Sequence, residues 1–71
     1  MERYKDNTGS SGISAYEVGP DWILVQFKAG GIYTYSYKTA GKHHIEQMKN
    51  FAQRGQGLTT YINQYVKDLY E

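Results

Sequence analysis

The feature that most constrains the fold is a pair of β-favouring runs separated by a short connection, Ala29-Gly30-Gly31. The first run, Trp22 to Lys28, is dense in β-branched and aromatic residues, and the second extends from Ile32 to Tyr37. Gly30-Gly31 between them can adopt the positive φ angles that tight hairpin turns use. The sequence therefore predicts an antiparallel hairpin.

The second run contains the most conspicuous cluster of the chain, Tyr33-Thr34-Tyr35-Ser36-Tyr37. Because side chains alternate along a strand, the three tyrosines are expected to share one face. A two-residue turn pairs Tyr33 with Gln26 and puts the tyrosines on the face opposite Phe27. A three-residue turn pairs Tyr33 with Phe27 and puts them beside Val25. The sequence leaves both arrangements open.

A further strand is predicted before the hairpin, over Ser11 to Val18. Its alternation places Ile13, Ala15 and Glu17 on one side. Gly19-Pro20-Asp21 then forms a turn, because proline has no N–H to donate and glycine tolerates positive φ. The three predicted strands make an antiparallel meander.

After Gly41 the apolar spacing becomes helical, and Gly55 is suited to end this first helix as a cap. A second apolar stripe follows, made of Leu58, Tyr61, Ile62, Tyr65, Val66 and Leu69. We therefore expect an α+β fold of order β-β-β-α-α, with a three-stranded antiparallel meander and two helices packed on one face. Gly55-Gln56-Gly57 is interpreted as a helix joint, or alternatively as a weak anion site.

Seventy-one residues without cysteine predict one domain with a small core and no disulfide. The polar segment Met1 to Gly9 is expected to be a mobile arm, and residues 10–71 the domain. A core this small makes self-association a reasonable expectation. With no apolar leader or membrane-length run, a cytoplasmic location is predicted.

Charge is unevenly distributed. From Trp22 to Lys67 the chain has net charge +5, although the whole chain carries only +1. A positive surface attracts phosphate if the fold gathers these side chains on one face. Lys28, Lys38 and Arg54 are the candidate phosphate contacts, and scattered solvated charges are the alternative interpretation.

A family resemblance rests on Ser10-Ser11-Gly12-Ile13, Val25-Gln26-Phe27, Gly30-Gly31 and Tyr33-Thr34-Tyr35. In these residues the chain resembles the KTSC domain, found at the C-terminus of some lysyl-tRNA synthetases and as short bacterial and phage proteins. The resemblance covers roughly Ser10 to Val66, and it implies RNA binding. Asn63 stands where the family tends to have arginine.

Together these features predict a non-catalytic binding module for single-stranded RNA or a small nucleotide. Tyr33, Tyr35 and Tyr37 are the candidate stacking residues, since aromatic side chains on a sheet often stack on unpaired bases. The alternatives are a protein-interaction or homo-oligomerisation module with these tyrosines in core or subunit contacts, and a phage protein that sequesters a host nucleotide signal.

No catalytic, cofactor or metal site is predicted. The serines stand in no nucleophile motif, and no pair of carboxylates lies in an apolar run. His43 and His44 are adjacent on a predicted helix and point about 100° apart, so they cannot converge on one ion.

Overall fold

The computed structural model describes residues 1–6 and 11–71, and its sheet has the strands in chain order. The strands β1 (Glu2–Arg3), β2 (Ile13–Val18), β3 (Trp22–Phe27) and β4 (Ile32–Ser36) pair antiparallel, with β1 and β4 at the edges. The predicted meander of β2, β3 and β4 is confirmed. The predicted number of strands is wrong, because β1 comes from the segment predicted to be an arm.

The β1 strand and the residue after it join the predicted arm to the core. Glu2 and Arg3 pair with β2, and the Tyr4 side chain is only 3% exposed. The Tyr4 hydroxyl accepts a hydrogen bond of 3.4 Å from the Leu58 N–H. A two-residue strand shows no alternation in sequence, so only tertiary contacts reveal it. Residues 7–9 of the predicted arm, and the predicted domain start at Ser10, lie outside the described residues.

A β-bulge in β2 puts the side chains that follow it on the opposite face from the one predicted. The pairing with β3 shifts between Ile13 and Ala15, which leaves Ser14 as the extra residue. One extra residue reverses which later side chains face the core. Ile13 and Tyr16 are therefore both buried, whereas the sequence placed them on opposite sides.

The hairpin between β3 and β4 closes through a three-residue turn. The Phe27 N–H donates to the Gly31 carbonyl at 3.1 Å, so residues 28–30 form the turn, and Gly30 within it and Gly31 at its end both have a φ of 98°. Tyr33 lies opposite Val25, and Tyr35 lies opposite Ile23. This register differs from both predicted pairings. It nevertheless puts Tyr33 and Tyr35 on the same face as Val25, as expected for a three-residue turn.

The helices follow in four segments: α1 (Tyr37–Ala40), α2 (Lys42–Arg54), α3 (Leu58–Tyr61) and a π-helical segment (Ile62–Val66). The first predicted helix corresponds to α2, which Gly55 caps in the left-handed conformation. The second predicted helix corresponds to α3 and the π-helical segment, and α1 is additional.

The helices pack on the face of the sheet that includes Ile23, Val25 and Tyr35, as predicted for one covered face. Leu58, Ile62 and Val66 supply the buried row of the last two helical segments. The remaining buried side chains of this core are Tyr4, Ile13, Tyr16, Ala40, Ile45, Met48 and Ala52.

Candidate binding crevice

The three tyrosines of the candidate motif occupy three different environments. Tyr35 is 2% exposed and belongs to the core, whereas Tyr33, one pleat away on the same face, is 38% exposed. Tyr37 has left the strand and begins α1. Tyr37 is half-buried against the core, so Tyr33 is the most exposed of the three rings.

Tyr37 leaves the strand because Ser36 caps α1. The Ser36 hydroxyl accepts a hydrogen bond from the Thr39 N–H, and the Thr39 hydroxyl accepts one from the Ser36 N–H. This reciprocal cap turns the chain into a helix at Tyr37. The Tyr37 hydroxyl then donates to Glu46 at 2.6 Å. This bond and the neighbouring Lys49 ammonium lower the pKa of Glu46.

A crevice of about 270 Å³ opens between β4 and the last helical segments. Its aromatic side is formed by Phe27, Tyr33, Tyr35 and Tyr70, and its other side by Thr59, Ile62, Asn63, Lys67 and Asp68. The volume is slightly below the roughly 300 to 1,000 Å³ of typical small-molecule sites. It therefore suits one planar ring better than an extended ligand.

The aromatic side of the crevice is a set of mutually packed rings. The Tyr33 and Tyr70 centroids are 4.8 Å apart, and Tyr33 meets Phe27 edge-on at 5.5 Å. Tyr70 also meets Tyr35 edge-on at 6.3 Å. Such offset and edge contacts are the preferred geometries of aromatic pairs, and they hold the Tyr33 ring at the mouth of the crevice.

Tyr35 contributes a neutral phenol to this site. Burial raises the pKa of Tyr35 to about 12, with smaller contributions from the negative charge that Tyr33, Tyr70 and Asp68 can carry. The hydroxyl therefore remains protonated at neutral pH. A ring that is 2% exposed can stack on a base only if the segment covering it moves.

The polar side of the crevice is a helical row. The row has three members at four-residue spacing, Thr59, Asn63 and Lys67. It runs beside the buried row of Leu58, Ile62 and Val66. The Thr59 hydroxyl lies 2.8 Å from that of Ser11, which anchors this end of the row to the start of β2. Lys67 supplies a cation, and Asp68 follows it at the rim.

The candidate phosphate contacts do not gather around Tyr33. Lys28 forms a 2.8 Å ion pair with Asp6, and Lys38 is exposed on α1. The Arg54 guanidinium lies 5.5 Å from the centre of the Phe51 ring, at the end of α2. Lys67, which sequence reasoning did not select, is the cation that lines the crevice among the described residues.

The sequence contained a signal for the missed residues. The four-residue spacing of Thr59, Asn63 and Lys67 predicts that they share one helix face. The sequence does not indicate which residues lie opposite that helix face, because Tyr70 and β4 approach it only in the folded chain.

A second aromatic cluster, on the opposite side of α3, was also missed. The rings of His44 and Tyr65 stack at 5.8 Å, and those of Phe51 and Tyr61 lie 5.3 Å apart. His44 Nδ1 and the Tyr61 hydroxyl are hydrogen-bonded at 2.7 Å. Tyr65 is 55% exposed, which makes it a useful comparison for Tyr33.

The Gly55-Gln56-Gly57 joint is held by core contacts. The Leu58 N–H donates to the Tyr4 hydroxyl, and a Cβ atom at Gly57 would lie 3.0 Å from the Phe51 ring. Gly57 also has a φ of 86°, and this left-handed backbone together with the close approach to Phe51 explains glycine at this position.

Among residues 1–6 and 11–71, no group of three or more His, Cys, Asp or Glu side chains is placed to hold a metal ion. Within the same described part of the chain, no helix is both long and apolar enough to cross a membrane.

The fold and the crevice define a small α+β domain with a four-stranded antiparallel meander covered on one face by helices. No family model, curated protein or solved structure matches the chain. The resemblance to the KTSC domain stays a prediction.

Proposed function

We propose that this protein is a non-catalytic module that binds an unpaired base, of single-stranded RNA or of a nucleotide, at the mouth of the crevice. The observation that carries the proposal is the partly exposed Tyr33 ring, held in place by Phe27 and Tyr70. A ring fixed in this way stacks on a base without losing much rotational freedom. Membership of the KTSC family, which the sequence motifs favour, is part of the same proposal.

Lys67 is the proposed phosphate contact. It lines the crevice together with Tyr33, whereas Lys28 is paired with Asp6 and Lys38 lies beyond the other end of β4. The proposal therefore retains Tyr33 from the six candidate residues and adds Lys67. The raised pKa of Tyr35 disfavours that phenol as a base at neutral pH, which fits binding without catalysis.

Fluorescence anisotropy with a labelled single-stranded RNA oligonucleotide at low salt tests the proposal. Loss of one stacked base is worth about 1 to 3 kcal/mol, so Tyr33→Ala is expected to weaken binding by roughly 5- to 150-fold. Lys67→Gln should make the slope of log affinity against log salt shallower by about 0.7, as for one phosphate contact on a single strand.

Tyr65→Ala is the matched control, because it removes an exposed tyrosine from the other aromatic cluster. It should leave the affinity unchanged. Thermal-shift assays with linear and cyclic nucleotides test whether the protein sequesters a nucleotide signal, because a tightly bound ligand raises the unfolding temperature. Absence of binding to every oligonucleotide and nucleotide, or equal losses in Tyr33→Ala and Tyr65→Ala, would contradict the proposal.

A protein-interaction or homo-oligomerisation module is the second candidate. It is favoured by exposed apolar side chains along and beside β4, namely Ile32, Tyr33, Leu69 and Tyr70. Light scattering over a wide concentration range distinguishes a homo-oligomer from a module that binds a different protein. Only a homo-oligomer shows a molar mass that rises with protein concentration.

A further inference from the structure

The polar side of the crevice has three side chains that make no hydrogen bond or ion pair within the described residues, namely Asn63, Lys67 and Asp68. All three residues are exposed. Thr59 on the same side is instead hydrogen-bonded to Ser11. The three side chains end in an amide, an ammonium and a carboxylate, so this side of the crevice offers both donors and acceptors to a ligand.

The aromatic side adds a further donor, the Tyr35 hydroxyl. Among the described residues, no side-chain nitrogen or oxygen atom is both fully buried and without a hydrogen-bond partner. The Tyr35 hydroxyl has no such partner there, so its oxygen reaches the open space of the crevice that the residue lines. Because burial of the ring raises the pKa of Tyr35 to about 12, the hydroxyl has a proton to donate at neutral pH.

Asp68 faces the same space as the Tyr35 hydroxyl. The charge of the Asp68 carboxylate contributes to the raised pKa of Tyr35, which requires the two groups to lie near each other. A carboxylate beside Lys67, the proposed phosphate contact, repels an anionic ligand unless it meets hydrogen-bond donors. An acid at this place is therefore explained if the bound base presents N–H groups to it.

The backbone of this wall has an unusual helical geometry. Ile62–Val66 is π-helical, and π-helical turns occur frequently at functional sites. Positions four residues apart drift by about 40° around an α-helix. A π-helix, whose hydrogen bonds span five residues, turns less per residue and offsets this drift. Asn63 and Lys67 consequently stay in line with Thr59 along the crevice.

We propose that the crevice selects guanine, with the Asp68 carboxylate accepting from guanine N1–H and N2–H and the Tyr35 hydroxyl donating to guanine O6. This selection rests on the proposed function, since it names the base that stacks on Tyr33. The Watson–Crick edge of guanine has two adjacent donors beside an acceptor, whereas those of adenine, cytosine and uracil each have one donor group. The second hydrogen bond to a charged acceptor supplies the preference.

Fluorescein-labelled uridine oligonucleotides with one central guanosine or inosine test the proposal by anisotropy at low salt. Inosine lacks only the N2 amino group, so it keeps the stacking surface, the N1–H and the O6 of guanine. The wild type should bind the guanosine oligonucleotide roughly 5- to 150-fold more tightly than the inosine one, as for one discriminating base contact. Oligonucleotides with a central adenosine or cytidine should also bind more weakly than the guanosine one.

Four variants assign the preference to its residues. Asp68→Asn should bind the guanosine and inosine oligonucleotides equally, because an amide has one acceptor oxygen and its NH₂ group cannot face another donor. Asp68→Glu restores a carboxylate and should recover part of the preference. Tyr35→Phe removes the donor to O6, which both bases have, so both affinities should fall while their ratio stays. Asp21→Asn makes the same charge change at the exposed turn before β3 and should behave like the wild type.

Calorimetry with guanosine monophosphate and inosine monophosphate separates the two sources of the base. A guanosine preference in the oligonucleotides alone supports recognition within RNA, and a preference in both assays supports recognition of guanine from either source. Circular dichroism establishes that each variant is folded, and the wild-type comparison of guanosine with inosine needs no variant.

The selection of guanine is overturned if the wild type binds the guanosine and inosine probes equally. It is also overturned if Asp68→Asn keeps the preference, or if Tyr35→Phe leaves both affinities unchanged. In each of these cases a loss of affinity in Tyr33→Ala would leave the base-binding proposal standing. Absence of binding to every probe would overturn both proposals.

Discussion

At the scale of single residues, Tyr33 and Tyr35 show how one pleat separates a candidate ligand contact from a core residue. Both rings face the helices, but Tyr35 lies opposite the fully buried Ile23 and is itself covered. Tyr33 lies nearer the turn, where a Cβ atom at Gly31 would lie 3.3 Å from its ring. The hydroxyl at the end of a buried tyrosine ring remains protonated when its charged form is poorly solvated, as the raised pKa of Tyr35 indicates.

This burial predicts a specific alkaline response. The unfolded Tyr35 phenol ionises near its ordinary pKa of 10.0, whereas the folded one ionises at about 12. The unfolded state therefore loses its proton first, and the contribution of Tyr35 to stability, present below pH 10, is lost as pH rises to 12. The loss amounts to about 1.4 kcal/mol per pH unit in that interval.

Urea denaturation of the wild type and Tyr35→Phe at several pH values between 8 and 12 measures this effect. The free energy of unfolding should fall more steeply in the wild type, because the other tyrosines contribute equally to both proteins. Parallel pH profiles would contradict the assignment of Tyr35 to the core.

At the scale of elements, β1 and the β2 bulge determine how the N-terminal residues join the domain. The Tyr4 N–H donates to the carbonyl of Ser14, the extra residue of the bulge, at 3.0 Å. The Tyr4 ring meets Tyr16 edge-on, with centroids 6.5 Å apart. The bulge thus provides both a backbone acceptor and a core-facing ring for Tyr4.

We therefore expect Tyr4→Ala to destabilise the domain strongly. Removal of a buried aromatic ring costs about 3 to 5 kcal/mol, which is comparable with the whole stability of a domain of this size. Arg3→Ala, at an exposed position of the same strand, should change stability by no more than about 0.5 kcal/mol. Urea unfolding followed by circular dichroism distinguishes the variants, and equal midpoints would indicate that Tyr4 contributes nothing to the core.

At the scale of the whole molecule, one core connects the strands with the helical segments. Tyr4 reaches α3 through the Leu58 N–H, and Tyr70 returns from the last helical segment to β4. The basic residues of the middle of the chain do not behave as one free patch, since Lys28 pairs with Asp6 and Lys49 with Glu46. Because Asp6 lies outside this region, its ion pair with Lys28 reduces the attraction for phosphate below what the net +5 indicates, whereas the charge of Glu46 is already counted in that sum.

A single core predicts a single unfolding transition. Trp22 is the only tryptophan, and its ring lies against Gly19 at the turn between β2 and β3. Its fluorescence reports on the sheet, whereas circular dichroism at 222 nm reports mainly on the helices. Urea curves from the two signals should superimpose, as two-state unfolding requires. Separate midpoints would show that sheet and helices unfold independently.

Local sequence patterns determined the central parts of the fold. Alternation and β-branched residues predicted β2, β3 and β4, and the three- and four-residue apolar spacing predicted α2 with its cap at Gly55. These signals are reliable because strand and helix periodicity depend on neighbouring residues. The same patterns also indicated Tyr33 as a candidate ligand contact.

Only the tertiary structure decided which tyrosines are accessible and what surrounds them. The hairpin register, the extra residue at Ser14 and the pairing of β1 depend on contacts between residues far apart in sequence. So does the approach of Tyr70 and Lys67 to Tyr33, since no local pattern connects β4 with the last helical segment. A shift of one residue in a strand moves each of its side chains to the opposite face of the sheet. For this reason the sequence could not decide whether the tyrosines lie on an open face or a buried one.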